Sequence, residues 1–237
     1  MTEVWGPIFL DYLNGERLPH YVERDDGRRE ASDTAAHYFE APRLAAEREL
    51  LGHIEGPVLD LGAGAGSYAL YLQSLGLDVT AADSSPVAVE VCRRRGCRHV
   101  SVMDLRDLHL EPTSFGSVII MGNTLGAHQT PESLPGLLRS LRVAVTPGGQ
   151  LLVSTADPLD TEDPVHLQYH RRNRDRGLPP GLSRIRMSYK DIIEEWMYLW
   201  MPTGEELAEA VAGTGWSMTQ ERSEGPFRVR LFQATGV

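Results

Sequence analysis

Scarce cysteine, no long apolar run and no excess of basic charge limit what this chain can be. Two cysteines in 237 residues, Cys92 and Cys97, do not support a disulfide framework, so we expect a reducing, cytoplasmic location. No window reaches the roughly 18 consecutive apolar residues of a membrane span. The N-terminus lacks the basic start and apolar core of a signal peptide. We therefore expect no membrane association.

The charge balance argues against nucleic acid as a partner. The formal net charge is −10, whereas non-specific nucleic-acid binding needs a basic surface. Hydrophobic residues make up 41% of the chain and charged residues 24%, which is ordinary for a globular protein. The length fits one sizeable α/β domain, or one domain with a modest appendage.

Strand and helix signals alternate through the middle of the chain. A helix carrying Leu44, Leu50 and Ile54 on one side ends near Gly56-Pro57. Strands separated by helices of this length indicate parallel crossovers and a sheet covered on both faces. The expected strands are 57–61, 78–82, 98–102, 116–121 and 150–155, with helices at 66–75, 85–95 and 132–145 and a turn at 147–149.

The two ends of the chain follow other patterns. Residues 1–42 are irregular, with an exposed loop at 25–29, and residues 163–177 are polar and rich in arginine. Residues 183–200 alternate like a two-stranded ribbon. Its two apolar faces carry Ile185, Met187 and Tyr189, then Trp196, Tyr198 and Trp200. A capping signal at Thr203 predicts a helix to Ala212, followed by strands 216–221 and 227–235.

A glycine-rich turn follows the first central strand. Residues 58–67 read VLDLGAGAGS, an apolar strand, a tight turn and a helix N-terminus that lets backbone N–H groups approach a ligand. Asp83, about 20 residues later, suits a ribose hydroxyl. The dinucleotide fingerprint needs its third glycine one place later than Gly66. The Asp60 carboxylate would also repel a pyrophosphate and attract the ammonium and sulfonium of S-adenosylmethionine.

Four segments in this order resemble the class I S-adenosylmethionine-dependent methyltransferases. VLDLGAGAG and the strand ending at Asp83 are similar to motif I and its next strand. VSVMDLRDL, FGSVIIMGNTLGAH and LLRSLRVAVTPGGQLLVST are similar to the segments that follow. The resemblance implies that Asp83 holds the ribose hydroxyls and that Asp104 accepts from the adenine amino group. The implied cofactor-binding residues are Asp60, Gly62, Ala63, Gly64, Gly66, Asp83, Ser84, Met103, Asp104, Leu105, Gly122 and Asn123.

The same resemblance sets the expected fold. It implies an α/β, Rossmann-like sheet of seven mostly parallel, twisted strands with helices on both faces. Residues 1–42 are expected to form a lid segment over the cofactor. Residues 43–237 are expected to form the methyltransferase domain, with a substrate-specific β-ribbon inserted at about 157–202.

Candidates for the acceptor side are fewer. His128, beyond the fourth central strand, is the best-placed general base, because histidine titrates near neutral pH. His20 and His37 are interpreted as surface or packing residues. No metal is expected, since His166 and His170 lack a third ligand. The candidate substrate-binding residues are Tyr12, Tyr38, Trp196, Tyr198 and Trp200, and the ribbon aromatics fit a core role equally well.

The leading hypothesis is methyl transfer from S-adenosylmethionine to an oxygen or nitrogen of a small molecule, in specialised metabolism, by a monomer or homodimer. Methylation of a protein or tRNA is the second reading. An NAD-dependent oxidoreductase and a non-catalytic S-adenosylmethionine-binding protein remain open as two further classes.

Overall fold

The computed structural model describes residues 3–127 and 129–236. No helix in these two ranges is long and apolar enough to cross a membrane. The helices are α1 (Trp5–Leu13), α2 (Ala35–Glu40), α3 (Ala45–Leu51), α4 (Ser67–Ser74), α5 (Pro86–Arg95), α6 (Leu134–Ala144), α7 (Pro164–Asp175) and α8 (Gly204–Val211). The strands are β1 (His20–Arg24), β2 (Arg29–Ser32), β3 (Val58–Leu61), β4 (Val79–Asp83), β5 (His99–Val102), β6 (Phe115–Ile120), β7 (Val145–Ala156), β8 (Leu182–Tyr189), β9 (Ile192–Ile193), β10 (Met197–Trp200), β11 (Trp216–Glu224) and β12 (Phe227–Ala234).

Seven strands form the main sheet, in the order β11-β12-β7-β6-β3-β4-β5. The pairs from β7 to β5 are parallel, and β12 and β11 add two antiparallel pairs at one edge. This confirms the predicted Rossmann-like α/β fold. The strand order reverses between β3 and β6, because β4 and β5 lie on one side and β7 on the other. In open sheets of this kind, ligands bind beyond the carboxyl ends of the strands at that reversal.

Alternating side chains of the sheet build two hydrophobic clusters. Leu59 and Val118 pack with apolar residues of α6 and α8 on one face. Val58 and Ile119 pack with α3 and α4 on the other. Every residue of β3 is buried, as expected for a central strand covered on both sides. The sheet is therefore a rigid platform, and its loops carry the exposed chemistry.

Local signals set the helix ends as predicted. The Ser85 side chain accepts from the backbone N–H of Ala88 at 3.1 Å, and α5 then runs to Gly96, whose φ is +102°. Thr203 and Glu206 form the capping box that opens α8. The alternation predicted for the first half of the ribbon is confirmed, since Ile185, Met187 and Tyr189 of β8 are buried.

Residues 3–42 are not irregular, which corrects one prediction. They contain α1, β1, β2 and α2, and the predicted loop at 25–29 is largely the turn between β1 and β2. Strand β1 pairs with β8, so the small second sheet has the order β10-β8-β1-β2, with β9 on β8. The N-terminal segment and the ribbon thus share one sheet. The proposed boundaries at 42, 157 and 202 stay predictions.

The structure describes two further segments in more detail than the sequence. The Pro147-Gly148-Gly149 sequence, predicted as a turn before a strand, lies inside the long strand β7. The arginine-rich residues 163–177 form helix α7, which Asp163 caps by accepting from the Val165 N–H at 2.8 Å. The Pro-Gly-Gly sequence still interrupts the pairing, because the register with β6 jumps from the pair Phe115 and Val145 to the pair Ser117 and Gln150, and Gly148 has a φ of +76°.

Replacing Gly126 by alanine is expected to destabilise the fold. A Cβ atom there would lie 1.6 Å from the carbonyl oxygen of Trp200, so the end of β10 would have to move. Overpacking of this kind costs about 1–3 kcal/mol, measurable as a loss in the free energy of urea unfolding. The matched control is Gly136→Ala in α6, where a Cβ meets no atom within 4 Å. That change is expected to add about 0.5–1 kcal/mol. Equal effects of the two changes would contradict the packing argument.

Candidate functional site

The turn between β3 and α4 is built from glycines that have no room for a side chain. Gly62 and Gly66 have φ values of +81° and +80°. A Cβ atom at Gly62 would lie 2.3 Å from Thr124 Cγ2, and one at Gly66 would lie 2.7 Å from Cys97 Sγ. Both the backbone conformation and the close neighbours therefore require glycine. The turn is pressed against the loop after β6 and the end of α5.

Asp83, at the carboxyl end of β4, holds this turn in place. Its carboxylate oxygens accept from the backbone N–H groups of Gly64 and Ser85, each at 2.9 Å. Burial raises its pKa, whereas these hydrogen bonds lower it. A carboxylate has about four lone-pair sites, so Asp83 retains acceptor capacity toward a ligand.

A first cavity, cavity 1, of about 190 Å³ lies beyond the carboxyl ends of β3, β4 and β5. Seven of the predicted cofactor-binding residues line it: Gly62, Gly64, Asp83, Ser84, Met103, Asp104 and Leu105. Trp5 and Phe9 of α1 and Met197 of β10 close it from the side of the second sheet. The sheet edge thus brings together residues that are far apart in the sequence, since Gly62 and Leu105 are separated by 43 positions.

A second cavity, cavity 2, of about 370 Å³ lies beyond the ends of β3, β6 and β7. The predicted residues Ala63, Gly122 and Asn123 line it, and its other side comes from α2, α3 and the segments beside them. Gly62 and Tyr38 belong to both cavities. The two cavities therefore meet at the reversal of strand order between β3 and β6.

Cavity 1 carries more acidic groups than the sequence suggests. Glu3 and Glu194 join Asp83 and Asp104 in its lining. Glu194 accepts from the Val4 N–H at 2.9 Å, and burial raises the pKa of both glutamates. Asp104 pairs with Arg106, whose Nε lies 2.9 Å from Oδ1. Neither Glu3 nor Glu194 belongs to a sequence motif. The segment before α1 and the ribbon bring these two residues to cavity 1 only in the folded chain.

Two of the predicted cofactor residues lie beneath the cavities and line neither. Gly66 is the residue before α4 and packs on the thiols of Cys92 and Cys97. Asp60 is 1% exposed, and its Oδ2 has no hydrogen-bond partner among the described residues. Burial raises the pKa of Asp60 to about 7. Asp60 therefore lies below the turn without lining either cavity, and below about pH 7 it holds a proton and carries no negative charge.

Cavity 2 contains residues that sequence reasoning assigned elsewhere or missed. His37, interpreted as a surface or packing residue, lines it beside Tyr38. Arg43 and Glu47 also line it. Glu47 is buried and accepts from the Tyr68 hydroxyl at 2.7 Å. The expectation that residues 1–42 form a lid is the one signal that could have directed attention to His37.

The candidate acceptor residues are dispersed. His128 lies outside the described residues. Tyr12 lines neither cavity and packs against Phe39, with ring centroids 4.5 Å apart and the ring planes tilted by 36°. The ribbon aromatics divide: Trp200 is 1% exposed in the hydrophobic core, in agreement with the core reading, and Tyr198 is 48% exposed. Trp196 precedes β10 and lies 4.8 Å from the Arg186 guanidinium, in a groove beside cavity 1.

The histidine pair of α7 has other contacts. The rings of His166 and His170 are 6.5 Å apart, and His166 lies 3.7 Å from Asp163. Within residues 3–127 and 129–236, no group of three His, Cys, Asp or Glu side chains is arranged to hold a metal ion.

Comparisons with known proteins find methyltransferases. The profile of the methyltransferase-domain family matches residues 58–149. A demethylmenaquinone methyltransferase of Clavibacter sepedonicus is 29% identical over 191 residues, covering 76% of this chain and 74% of that protein. An S-adenosylmethionine-dependent methyltransferase of Bacteroides fragilis, solved with S-adenosyl-L-homocysteine, has a TM-score of 0.80 at 23% identity, covering 98% of this chain and 94% of that one.

A third similar protein was solved with a small acceptor. This 1,6-didemethyltoxoflavin-N1-methyltransferase of Burkholderia thailandensis has a TM-score of 0.61 at 17% identity, covering 98% of this chain and 88% of that one. At such identities the two solved structures establish a shared fold. The family match spans the glycine turn, Asp83, Asp104 and Asn123.

Replacing Asp60 by asparagine is expected to flatten the pH dependence of stability. The folded protein holds the Asp60 proton up to about pH 7, whereas the unfolded chain releases it near pH 4. The native state therefore binds more protons between these values, and the free energy of unfolding falls as the pH rises. The full loss is up to about 4 kcal/mol. Asp60→Asn removes this loss of stability. Urea unfolding at about pH 4 and pH 8 measures the difference in the free energy of unfolding.

Asp107→Asn is the control for this change, since the Asp107 side chain is 84% exposed. It should retain the pH dependence of the parent protein. A parent whose stability is constant across this range, or an Asp60→Asn variant with the parent's slope, would contradict the buried, protonated state of Asp60.

Proposed function

Because this chain is a class I S-adenosylmethionine-dependent methyltransferase, we propose that it transfers the methyl group to an oxygen or nitrogen atom of a small molecule. The observation that carries this proposal is the meeting of two cavities at Gly62 and Tyr38. A donor in one cavity and an acceptor in the other would face each other there. In-line displacement needs that alignment more than it needs further catalytic groups.

The first cavity suits the nucleoside part of S-adenosylmethionine. Asp83 offers acceptor capacity to ribose hydroxyls, and Asp104 lies at the end of β5 for the adenine amino group. The glycine turn presents backbone at close range, since Gly62 has no space for a side chain. The acidic lining favours a cationic ligand over a pyrophosphate. When bound, S-adenosylmethionine supplies a methyl group activated on a sulfonium.

The second cavity suits a small acceptor. Its volume of about 370 Å³ is within the range of ordinary ligand pockets. It is covered by α2 and α3, which supports a role of the N-terminal segment as a lid. The Burkholderia relative, a 1,6-didemethyltoxoflavin-N1-methyltransferase, was solved with its small acceptor bound. We therefore propose specialised metabolism as the setting, with methylation of a protein or tRNA as the competing reading.

The location and assembly that we propose are those expected from the sequence. Cys92 and Cys97 are buried free thiols, which supports a reducing, cytoplasmic environment. The net charge of −10 supports the absence of a nucleic-acid partner. A monomer or homodimer remains our proposal for the assembly.

Calorimetric titration with S-adenosylhomocysteine, with NAD in parallel, tests the cofactor assignment. We expect micromolar binding of S-adenosylhomocysteine alone. Asp83→Ala should weaken that binding by about 1–3 kcal/mol, or roughly 5- to 150-fold, because a charged hydrogen-bond acceptor is lost. Asp78→Ala is the control. Asp78 directly precedes β4 and its side chain is 67% exposed, so this change should leave the affinity for S-adenosylhomocysteine unchanged.

The outcomes separate the competing readings. Binding of NAD instead would identify an oxidoreductase, and unchanged affinity in Asp83→Ala would refute the role of that residue. Binding of S-adenosylhomocysteine without transfer to any small molecule, peptide or tRNA would identify a non-catalytic binding protein. Transfer to polymers alone would favour the macromolecular acceptor.

A further inference from the structure

We propose that His37 is the general base of the transfer and that its acceptor is an aromatic hydroxyl, a phenol or an enol, bound in cavity 2. This inference rests on the proposed function and names the substrate class of the same site. Three observations support it: the position of α2 over the glycine turn, the proton-accepting groups of cavity 2, and the aromatic and charged side chains of its lining.

Helix α2 is held directly over the glycine turn. The Tyr38 ring lies 3.0 Å from the position of a Cβ at Gly64. The Tyr38 carbonyl accepts from the Ser67 hydroxyl and from Arg95 Nη1, the latter at 3.5 Å. Tyr38 lies at the junction of the two cavities, and His37, one residue before it on α2, lines cavity 2.

The other polar groups of this cavity are already engaged. Glu47 accepts from the backbone N–H groups of Arg43 and Leu44, at 3.1 and 3.2 Å, and from the Tyr68 hydroxyl at 2.7 Å. Asn123 Oδ1 accepts from the Ala156 N–H at 2.6 Å.

The remaining ionisable groups cannot take a proton. An arginine side chain has no acceptor, and burial raises the pKa values of Tyr38 and Tyr68, which therefore stay protonated. His37 is the group among the described lining residues that combines a titratable nitrogen with contact to solvent.

The surroundings of His37 keep its ring neutral. Burial lowers its pKa below the usual value, and the positive charge of Arg43 lowers it further. Asp33 and Glu40 act in the opposite direction and do not reverse the shift. A neutral imidazole at pH 7 accepts a proton, and the exposed side of the ring can pass that proton to water.

The rest of the lining favours an aromatic hydroxyl over an amine. Tyr38, Tyr68 and Phe227 supply aromatic rings that suit a planar acceptor. Arg43 stabilises the negative charge that develops on a hydroxyl oxygen as it loses its proton.

In the proposed step the acceptor oxygen attacks the methyl carbon and forms a C–O bond. The C–S bond breaks, its electron pair remains on sulfur, and the sulfur becomes a neutral thioether. The hydroxyl proton moves to an imidazole nitrogen of His37 and then to solvent.

The test compares His37→Gln with the control His53→Gln, since His53 is exposed after α3 and lines neither cavity. The acceptors are 4-methylphenol, which needs a base, and 4-nitrophenol, which is largely ionised at pH 8. We expect His37→Gln to lower kcat/KM for 4-methylphenol by about 100-fold or more. With 4-nitrophenol at pH 8 we expect a loss below about tenfold, and His53→Gln should resemble the parent with both.

A binding measurement without turnover gives a second readout. The absorbance of 4-nitrophenol, titrated with the S-adenosylhomocysteine complex below pH 7, reports whether the bound phenol has lost its proton. We expect the phenolate band to increase with the parent and with His53→Gln, and not with His37→Gln. The acid limb of the pH profile for 4-methylphenol should also disappear in His37→Gln.

Each result decides the question. Equal losses with both phenols, or no loss, would overturn the role of His37 while leaving the methyltransferase assignment intact. Transfer to benzylamine but to neither phenol would overturn the acceptor class and keep the proposed function. No transfer to any of the three, together with no phenolate signal, would overturn the inference, and the S-adenosylhomocysteine titration would then decide the cofactor assignment separately.

Discussion

The close packing of the glycine turn after β3 is the constraint on which the rest of this molecule depends. A side chain at Gly62 would meet Thr124, one at Gly64 would meet Tyr38, and one at Gly66 would meet Cys97. These contacts draw the loop after β6, helix α2 and the end of α5 to one point at the edge of the sheet. The two cavities exist because these three elements approach the turn without filling the space on either side of it.

The two cavities differ in charge, and the difference explains how one platform can serve two ligands. Cavity 1 gathers four carboxyl groups from the N-terminal segment, the ribbon and the sheet edge, with Arg106 bound to one of them. Cavity 2 has the cation of Arg43, a neutral His37 and a single carboxylate, Glu47, which accepts three hydrogen bonds. A cationic donor is favoured in the first, and an acceptor that develops negative charge is favoured in the second.

The central sheet could be predicted because its signals are local. Continuous apolar runs such as Val118–Met121 indicate buried parallel strands, and the glycine turn specifies its own backbone. The N-terminal elements could not be predicted this way. Strand β1 is stabilised by pairing Tyr21 with Ser188, which lies 167 residues later, and a short strand has no independent stability. The roles of the ribbon aromatics stayed open between core and pocket, because alternation does not say which face meets the core.

By itself, the sequence determined the α/β class, the positions of the central strands and most residues of the proposed cofactor site. Each of these depends on contacts within a strand–turn–helix unit. Tertiary structure decided which of these residues line a cavity, that Asp60 and Trp200 are buried, and that Glu3, His37 and Glu194 join the site. The physical reason is that burial and cavity shape arise from long-range packing of the second sheet and α2 on the main sheet, and no local pattern encodes that packing.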